Sequence, residues 1–283
     1  MTNVTIGILH PGEMGSAIGA AARAAGALVL WASEGRSAST RKRAEDDGLA
    51  DVRTVERLVA ESQLILSVCP PASAVDVARE VAAEGFTGTY VDGNAVSPDT
   101  TREVGSIVSA GGARFVDGGI IGPPPRRPGV CRLYLSGEGA EEVAAQLTGG
   151  LLEPIAIPGP IGAASAVKMA YAGWNKGAQA LLMAVRALAV YEGVDDVLLA
   201  EWKRSQPELP ARSEAAVNGT ARKAWRFVGE MEEIAATFDA AGLPDGFHRA
   251  SADVFARLAN WKDTPTPPSV DEVTKELTRN RNR

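Results

Sequence analysis

Val4-Thr5-Ile6-Gly7-Ile8-Leu9-His10-Pro11-Gly12-Glu13-Met14-Gly15 is the stretch on which the reading of this chain turns. Its first half is apolar and rich in β-branched residues, as a strand buried on both faces must be. A proline–glycine turn ends the strand, and the alanine-rich run 16–25 that follows reads as a helix. A turn of this kind points backbone N–H groups and a helix N-terminus at one spot, where partial positive charge suits a pyrophosphate. His10, Pro11, Gly12, Glu13 and Met14 are therefore expected to cradle a dinucleotide.

Working outward, short apolar runs at 27–31, 64–68, 89–92, 114–117, 131–136 and 153–157 are interleaved with amphipathic stretches at 40–46, 74–84 and 98–110. Such alternation implies βαβ units and a parallel sheet. The period then changes. Residues 163–191 contain no proline and read as one helix of about 40 Å at roughly 1.5 Å per residue. Further helices are expected near 194–206, 211–241, 245–260 and 269–281. The fold class is an α/β Rossmann N-terminal domain, 1–160, plus an all-α C-terminal domain, 161–283, joined by a long interdomain helix.

Composition narrows the partners. A formal charge of −6 argues against general nucleic-acid binding, which needs a basic face. The long helix is apolar on most faces, yet Lys168, Asn175, Lys176, Gln179 and Arg186 interrupt it too often for a bilayer span. A second copy of the chain is expected to cover it, giving a homodimer through the long helix and the C-terminal domain. The two cysteines, Cys69 and Cys131, lie far apart and in no metal-spaced cluster, so no metal is expected and a reducing compartment is. With no charged segment leading into an apolar run at the N-terminus, a cytoplasmic address is expected.

Just beyond the second strand two cofactor readings compete. Glu34 suits the two ribose hydroxyls of NAD, whereas Ser33, Arg36 and Ser37 match the charge and acceptors of a 2′-phosphate and favour NADP. Cys69, Pro70 and Asn94, beyond later strands, complete the cofactor-facing set.

With these segments laid out, the chain resembles the β-hydroxyacid dehydrogenase and 6-phosphogluconate dehydrogenase superfamily along nearly its whole length. Gly12-Glu13-Met14-Gly15 resembles the end of that family's Gly-x-Gly-x-x-Gly turn, and Asp92 to Pro98 resembles its strand-end segment. Phe115 to Gly122 resembles its substrate-side segment, and Gly159-Pro160-Ile161-Gly162 followed by Lys168 its Gly-x-x-Gly…Lys motif.

The resemblance implies a hydride transfer between NADP, or NAD, and a small hydroxy acid or carbonyl compound, with an anionic substrate in view. It gives Lys168 the role of proton donor and acceptor, and partial burial of a lysine near a helix start lowers its pKa in the direction such a role needs. Asn175 and Tyr171 are the nearest polar helpers, and Ile121, Gly122, Pro123 and Trp174 are the substrate-side candidates. The pocket is expected between the domains, at the carboxyl edge of the sheet.

Three positions depart from the family pattern. His10 stands where the first glycine belongs, Ile121-Gly122-Pro123 replaces Ser-Gly-Gly, and Ala172 replaces an asparagine. The segment Asp117 to Pro124 is also similar to that of imine reductases, which gives a second reading. A non-catalytic dinucleotide sensor, suggested by His10, is a third. Arg126 and Arg127 are candidates for clamping a substrate anion, and His248 for an acid–base role.

Overall fold

A computed structural model describes residues 4–262 and 264–279, in two compact units that divide between Met169 and Ala170. The first is built on one eight-stranded sheet of order β3-β2-β1-β4-β5-β6-β7-β8. Its strands are β1 (Thr5–Leu9), β2 (Leu28–Trp31), β3 (Ala50–Asp51), β4 (Leu64–Ser67), β5 (Thr89–Asp92), β6 (Arg114–Ile121), β7 (Arg132–Ser136) and β8 (Glu153–Ala156). The connecting helices are α1 (Glu13–Ala24), α2 (Ala38–Asp46), α3 (Val55–Glu61), α4 (Ala74–Ala83), α5 (Pro98–Ala110) and α6 (Ala140–Leu147).

Alternation along the strands fills two cores. Ile6, Ile8, Leu64, Leu66, Val91 and Val116 pack on one face of the sheet, and Leu9, Ile65, Tyr90 and Phe115 on the other, as a side-chain period of two requires. The sheet departs from the expected all-parallel arrangement at one pair: β6 and β7 run antiparallel, with Asp117 opposite Ser136. The cause is the connection, since the short proline-rich segment between these strands holds no crossover helix and a parallel pairing needs one.

The long helix α7 spans Ala163–Tyr191, as its uninterrupted pattern implies. Its first residues belong to the first unit, so the units divide later than the expected 160/161 boundary. In the second unit α7 is followed by α8 (Asp195–Ser205), α9 (Leu209–Thr220), α10 (Ala224–Ala240), α11 (Gly246–Arg257) and α12 (Val270–Thr278). The stretch expected as a single helix at 211–241 is broken by a tight turn over Ala221–Lys223, directly after Gly219-Thr220. The end of the last expected helix, residues 280 and 281, lies outside the described residues. Arg186 is one polar interruption of α7 that the fold absorbs: it is buried, pairs twice with Asp195 (2.7 and 2.8 Å) and donates to Ser213 (2.8 Å). No helix among the described residues is long and apolar enough to cross a membrane.

Candidate functional site

Strand β1 ends at Leu9, and His10 turns the chain with a φ of 62°, a left-handed conformation that a β-carbon disfavours. Its carbonyl accepts a hydrogen bond from Gly12 N (2.7 Å), which closes the turn. A β-carbon at Gly15 would lie 2.7 Å from that same carbonyl, so only glycine lets the first turn of α1 approach the loop. Gly12 is the N-cap residue of α1 in ordinary extended geometry, and a β-carbon there would meet nothing nearer than His10 O at 4.0 Å. The loop therefore leaves open space at a helix N-terminus. Beside it, the His10 Nδ1 atom is buried without a hydrogen-bond partner. An open cradle and an unsatisfied polar atom fit a dinucleotide phosphate.

A prediction follows from the free space. Gly12→Val is expected to fold normally but to lose roughly 10- to 100-fold in NADPH affinity, the equivalent of about 1–3 kcal/mol of overpacking. Fluorescence titration of the bound nicotinamide checks it. Unchanged affinity would remove the loop from the cofactor site.

Cys69, Pro70 and Asn94 lie at the carboxyl ends of β4 and β5. Asn94 is buried, and its amide is engaged at both ends: Oδ1 accepts from Cys69 N (2.6 Å) and Nδ2 donates one of its two N–H groups to Ser67 Oγ (3.2 Å). It shapes the Cys69-Pro70 turn and keeps a second Nδ2 hydrogen. Burial pushes the Cys69 thiol up to about 12, which makes it an inert neutral group.

Beyond β2, the three expected 2′-phosphate ligands behave differently. The Ser37 hydroxyl caps α2, accepting from Thr40 N (3.2 Å), so it serves the helix. Ser33 lines a cavity of about 440 Å³ together with Glu34, Arg41 and Arg53. Arg36 Nε is buried without a partner. Sequence reasoning missed Arg41 and Arg53, which come from α2 and from the turn after β3, an element too short and polar to be recognised.

The second half of the site is organised by Asp117 on β6, a residue to which sequence reading assigned no role. Its carboxylate is completely buried and accepts five hydrogen bonds. Oδ2 takes Gly162 N, Ala164 N and Ser136 Oγ, each at 2.9 Å, and Ser165 N at 3.1 Å. Oδ1 takes Ser165 Oγ at 2.6 Å. The orphan amides at the start of α7 thus find their acceptor on a neighbouring strand rather than in a local cap. Two residues along the same face of β6, a β-carbon at Gly119 would lie 2.4 Å from Ala164 O and 3.1 Å from the β-carbon of Lys168. The helix is pinned at its first turn and pressed against the strand at its second.

Lys168 projects from that second turn. Burial lowers its ammonium to about 8, even though the residue keeps some accessible surface. The Cys131 thiol, pushed up to about 11 by burial, is close enough to interact electrostatically with it. A lysine in this range can give or take a proton near neutral pH.

The other helix candidates are less embedded. Tyr171 and Trp174 are 48% and 70% exposed, and Asn175 Nδ2 turns back to the Tyr171 carbonyl (2.9 Å). Ile121 is buried at the end of β6, where Gly122 turns the chain into the proline-rich loop. Pro123 lines a second cavity of about 440 Å³, with Glu13, Arg43 and Arg127. Arg126 lines the same cavity but already has a carboxylate partner. Its guanidinium pairs with both oxygens of Asp47 (2.5 and 2.9 Å), and the same carboxylate accepts from Ser16 Oγ on α1 (2.5 Å). That ion pair ties the proline-rich loop to the dinucleotide-loop helix. His248 is buried against the Phe238 ring, 4.2 Å between centroids, in the second unit. Neither cavity is lined by Lys168.

Residues 5–128 match the NAD binding domain of 6-phosphogluconate dehydrogenase, and residues 189–258 match a domain of unknown function, DUF1932. An uncharacterized 28.5 kDa protein encoded in the 7S RNA 5′ region of Methanothermus fervidus is 32% identical over 167 residues; the match spans 59% of this chain and 63% of that one. A conserved protein of unknown function, whose structure shows similarity with 3-hydroxyacid dehydrogenases, is 26% identical with a TM-score of 0.68, covering 91% of this chain and 98% of its own.

Two further structures share the fold. They are Mycobacterium tuberculosis 3-hydroxyisobutyrate dehydrogenase with L-serine (18% identity, TM-score 0.73, 98% and 100% covered) and the Aspergillus terreus reductive aminase with NADPH and ethyl levulinate (20%, 0.57, 96% and 98%). The chain thus carries an NAD-binding α/β domain followed by a helical domain. These matches support a β-hydroxyacid dehydrogenase-like family for the chain.

Proposed function

We propose that the protein is an NADP-preferring oxidoreductase acting on a small hydroxy acid or its carbonyl counterpart, with Lys168 as the general acid and base. The observation that carries the reading is the half-buried Lys168, in the second turn of a helix whose start Asp117 anchors, with its ammonium lowered to about 8 by burial. The bound nicotinamide supplies or takes the hydride. The chain's own residues do the rest. The glycine loop binds phosphate, Asp117 and Gly119 fix the helix that carries Lys168, and the Lys168 Nζ proton goes to or comes from the substrate oxygen. NADP is favoured because Arg41 and Arg53 line the cavity beyond β2 with Ser33 and form no ion pair among the described residues, although Glu34 and Asp51 line it too.

A panel of β-hydroxy acids, β-keto acids and cyclic imines, read by nicotinamide absorbance with NADPH and NADH, tests this. Turnover of a hydroxy acid or keto acid supports it, while turnover of imines alone favours the second reading, imine reduction. The apolar Ile121 in place of a hydroxyl-bearing residue is what recommends that rival.

The proposed partner is a second copy of the chain. Tyr171, Trp174, Ala178, Leu181, Val185 and Leu188 follow one another along α7 at alternating spacings of three and four, the seam spacing of paired helices. Leu181 and Leu188 are 65% and 60% exposed, and a two-fold contact covers the stripe with its own copy. The double variant Leu181→Lys, Leu188→Lys removes four leucines per dimer, each worth roughly 1.5–3 kcal/mol when buried. It is expected to sediment as a folded monomer where the wild type is a dimer. A wild-type monomer at high concentration would end this part of the reading.

A further inference from the structure

The loop that joins β6 to β7 runs Gly122-Pro123-Pro124-Pro125-Arg126-Arg127-Pro128-Gly129. Proline fixes φ near −65°, so such a segment gives up little conformational freedom when it is held in place. Two contacts hold it. Arg126 N donates to the Pro124 carbonyl (2.7 Å), which closes a tight turn within the loop. The Arg126 guanidinium is tied to Asp47, the residue that caps the end of α2 (2.9 Å). The loop, the start of α1 and the middle of α2 then bound the cavity of about 440 Å³ to which Glu13, Arg43 and Arg127 contribute.

Three guanidiniums reach this cavity, and they are not equivalent. Arg126 is committed to Asp47. Arg43 gives Nη1 to the Pro11 carbonyl (3.3 Å), which fixes its head and leaves most of its N–H donors over. Arg127 is exposed beside Arg126, on a loop already stapled down, and neither it nor Arg43 forms an ion pair among the described residues. Glu13 shares the wall, but one carboxylate does not neutralise two guanidiniums, and the first turn of α1 adds partial positive charge. The rest of the wall is apolar, from Pro123, Pro124 and Val130. Two cations and an apolar wall around a few hundred cubic ångströms suit a small molecule with an anionic end.

The cavity is distinct from the two places already described. Ser33, Arg41 and Arg53 line the other cavity, beyond β2, and share no residue with this one. Lys168 does not line it either; Val130 stands on its wall, and the next residue, Cys131, interacts electrostatically with that lysine.

We propose that Arg43 and Arg127 form a second anion site, which takes a carboxylate or phosphate of a small molecule other than the dinucleotide. That group belongs either to a separate small anion or to the substrate, as a second anionic group remote from the reacting carbon. The substrate case rests on the oxidoreductase reading of Lys168; the separate anion does not.

The probes are inorganic phosphate and malonate, titrated by calorimetry at constant ionic strength into wild-type protein saturated with NADPH. Saturable binding is expected, at least about tenfold weaker in Arg127→Ala, as the loss of one charge-assisted hydrogen bond requires. Arg127 supports no other contact among the described residues, so this variant is expected to melt within about a degree of wild type. Arg43→Leu is expected to weaken binding to a similar degree. Because it also frees the Pro11 carbonyl, Arg127→Ala carries the test alone if Arg43→Leu unfolds.

Kinetics identify the source of the anion. A KM that rises about tenfold in Arg127→Ala only for hydroxy acids with two anionic groups assigns the site to the substrate. Unchanged KM values together with weakened binding of the probes assign it to a separate anion; either result supports the site. Three results overturn it: probe binding that survives both substitutions, no saturable binding together with unchanged KM values, or NADPH affinity that falls in Arg127→Ala with phosphate competing against NADPH. The last gives the arginines to the cofactor. A wild-type protein that binds no NADPH overturns the dinucleotide reading, and the same titration without cofactor then decides the anion site.

Discussion

Lys168→Ala is expected to lower turnover of a hydroxy-acid or keto-acid substrate by roughly 10²- to 10⁴-fold, the usual contribution of a positioned proton-transfer group. NADPH affinity should stay within about twofold, since in the proposed reading the glycine loop and the turn beyond β2 hold the cofactor without this side chain. The substitution is structurally mild. Removing the ammonium relieves a desolvated charge, so the variant should melt no lower than wild type. Imine turnover that survives the substitution would instead identify the protein as an imine reductase for which Lys168 is incidental.

The pH dependence follows from burial. Reduction needs the protonated lysine and should fall as pH rises through about 8, whereas oxidation needs the free amine and should rise through the same range. Stability moves with a sign of its own. The folded-state value of about 8 lies below the ordinary 10.5, so between these limits the unfolded chain binds more protons than the folded one. Raising the pH from about 8 to 10.5 therefore favours the folded state at this site, and the gain disappears in Lys168→Ala. Unfolding curves of the two proteins across that range measure the difference.

Much of this was legible in the sequence because it depends on local pattern. The strand, turn and helix around Gly12, the helix Ala163–Tyr191 and the elements Thr89–Asp92 and Pro98–Ala110 all declare themselves through periodicity and punctuation. What escaped depends on partners far along the chain. The antiparallel direction of β7 is a property of the pair, not of the strand. Arg126 finds Asp47 across 79 residues, which turns an expected anion clamp into an internal tie. The Ser37 hydroxyl looked available for a phosphate, yet it caps the helix that follows it. Residues 50–61 hold a two-residue strand and a helix of only seven residues, too short for a periodicity to register.

Asp117 is the clearest case of that long-range kind, and its removal should have the largest effect on stability. It lies 45 to 48 residues before the amides of Gly162, Ala164 and Ser165, so no spacing rule links them. Asp117→Ala removes the carboxylate acceptor of three backbone N–H groups and two serine hydroxyls in a site with no exposed surface; Ala164 N keeps Ser136 Oγ and Ser136 Oγ keeps the Pro160 carbonyl, but Gly162 N and Ser165 N lose the acceptor they have here. Losing one side of a buried charged network costs about 3–5 kcal/mol. For domains of this size that corresponds to a fall in melting temperature of roughly 10 °C.

Asp117→Asn should cost much less. Its amide oxygen can take the four bonds now made to Oδ2, and Ser165 Oγ can rotate to accept from the new NH₂, leaving mainly the loss of charge at a helix N-terminus. The order wild type, Asn, Ala in melting temperature is therefore the expected result. If the alanine variant melts within a degree or two of wild type, the start of α7 is held by something other than Asp117, and the fixed placement of Lys168 needs another cause.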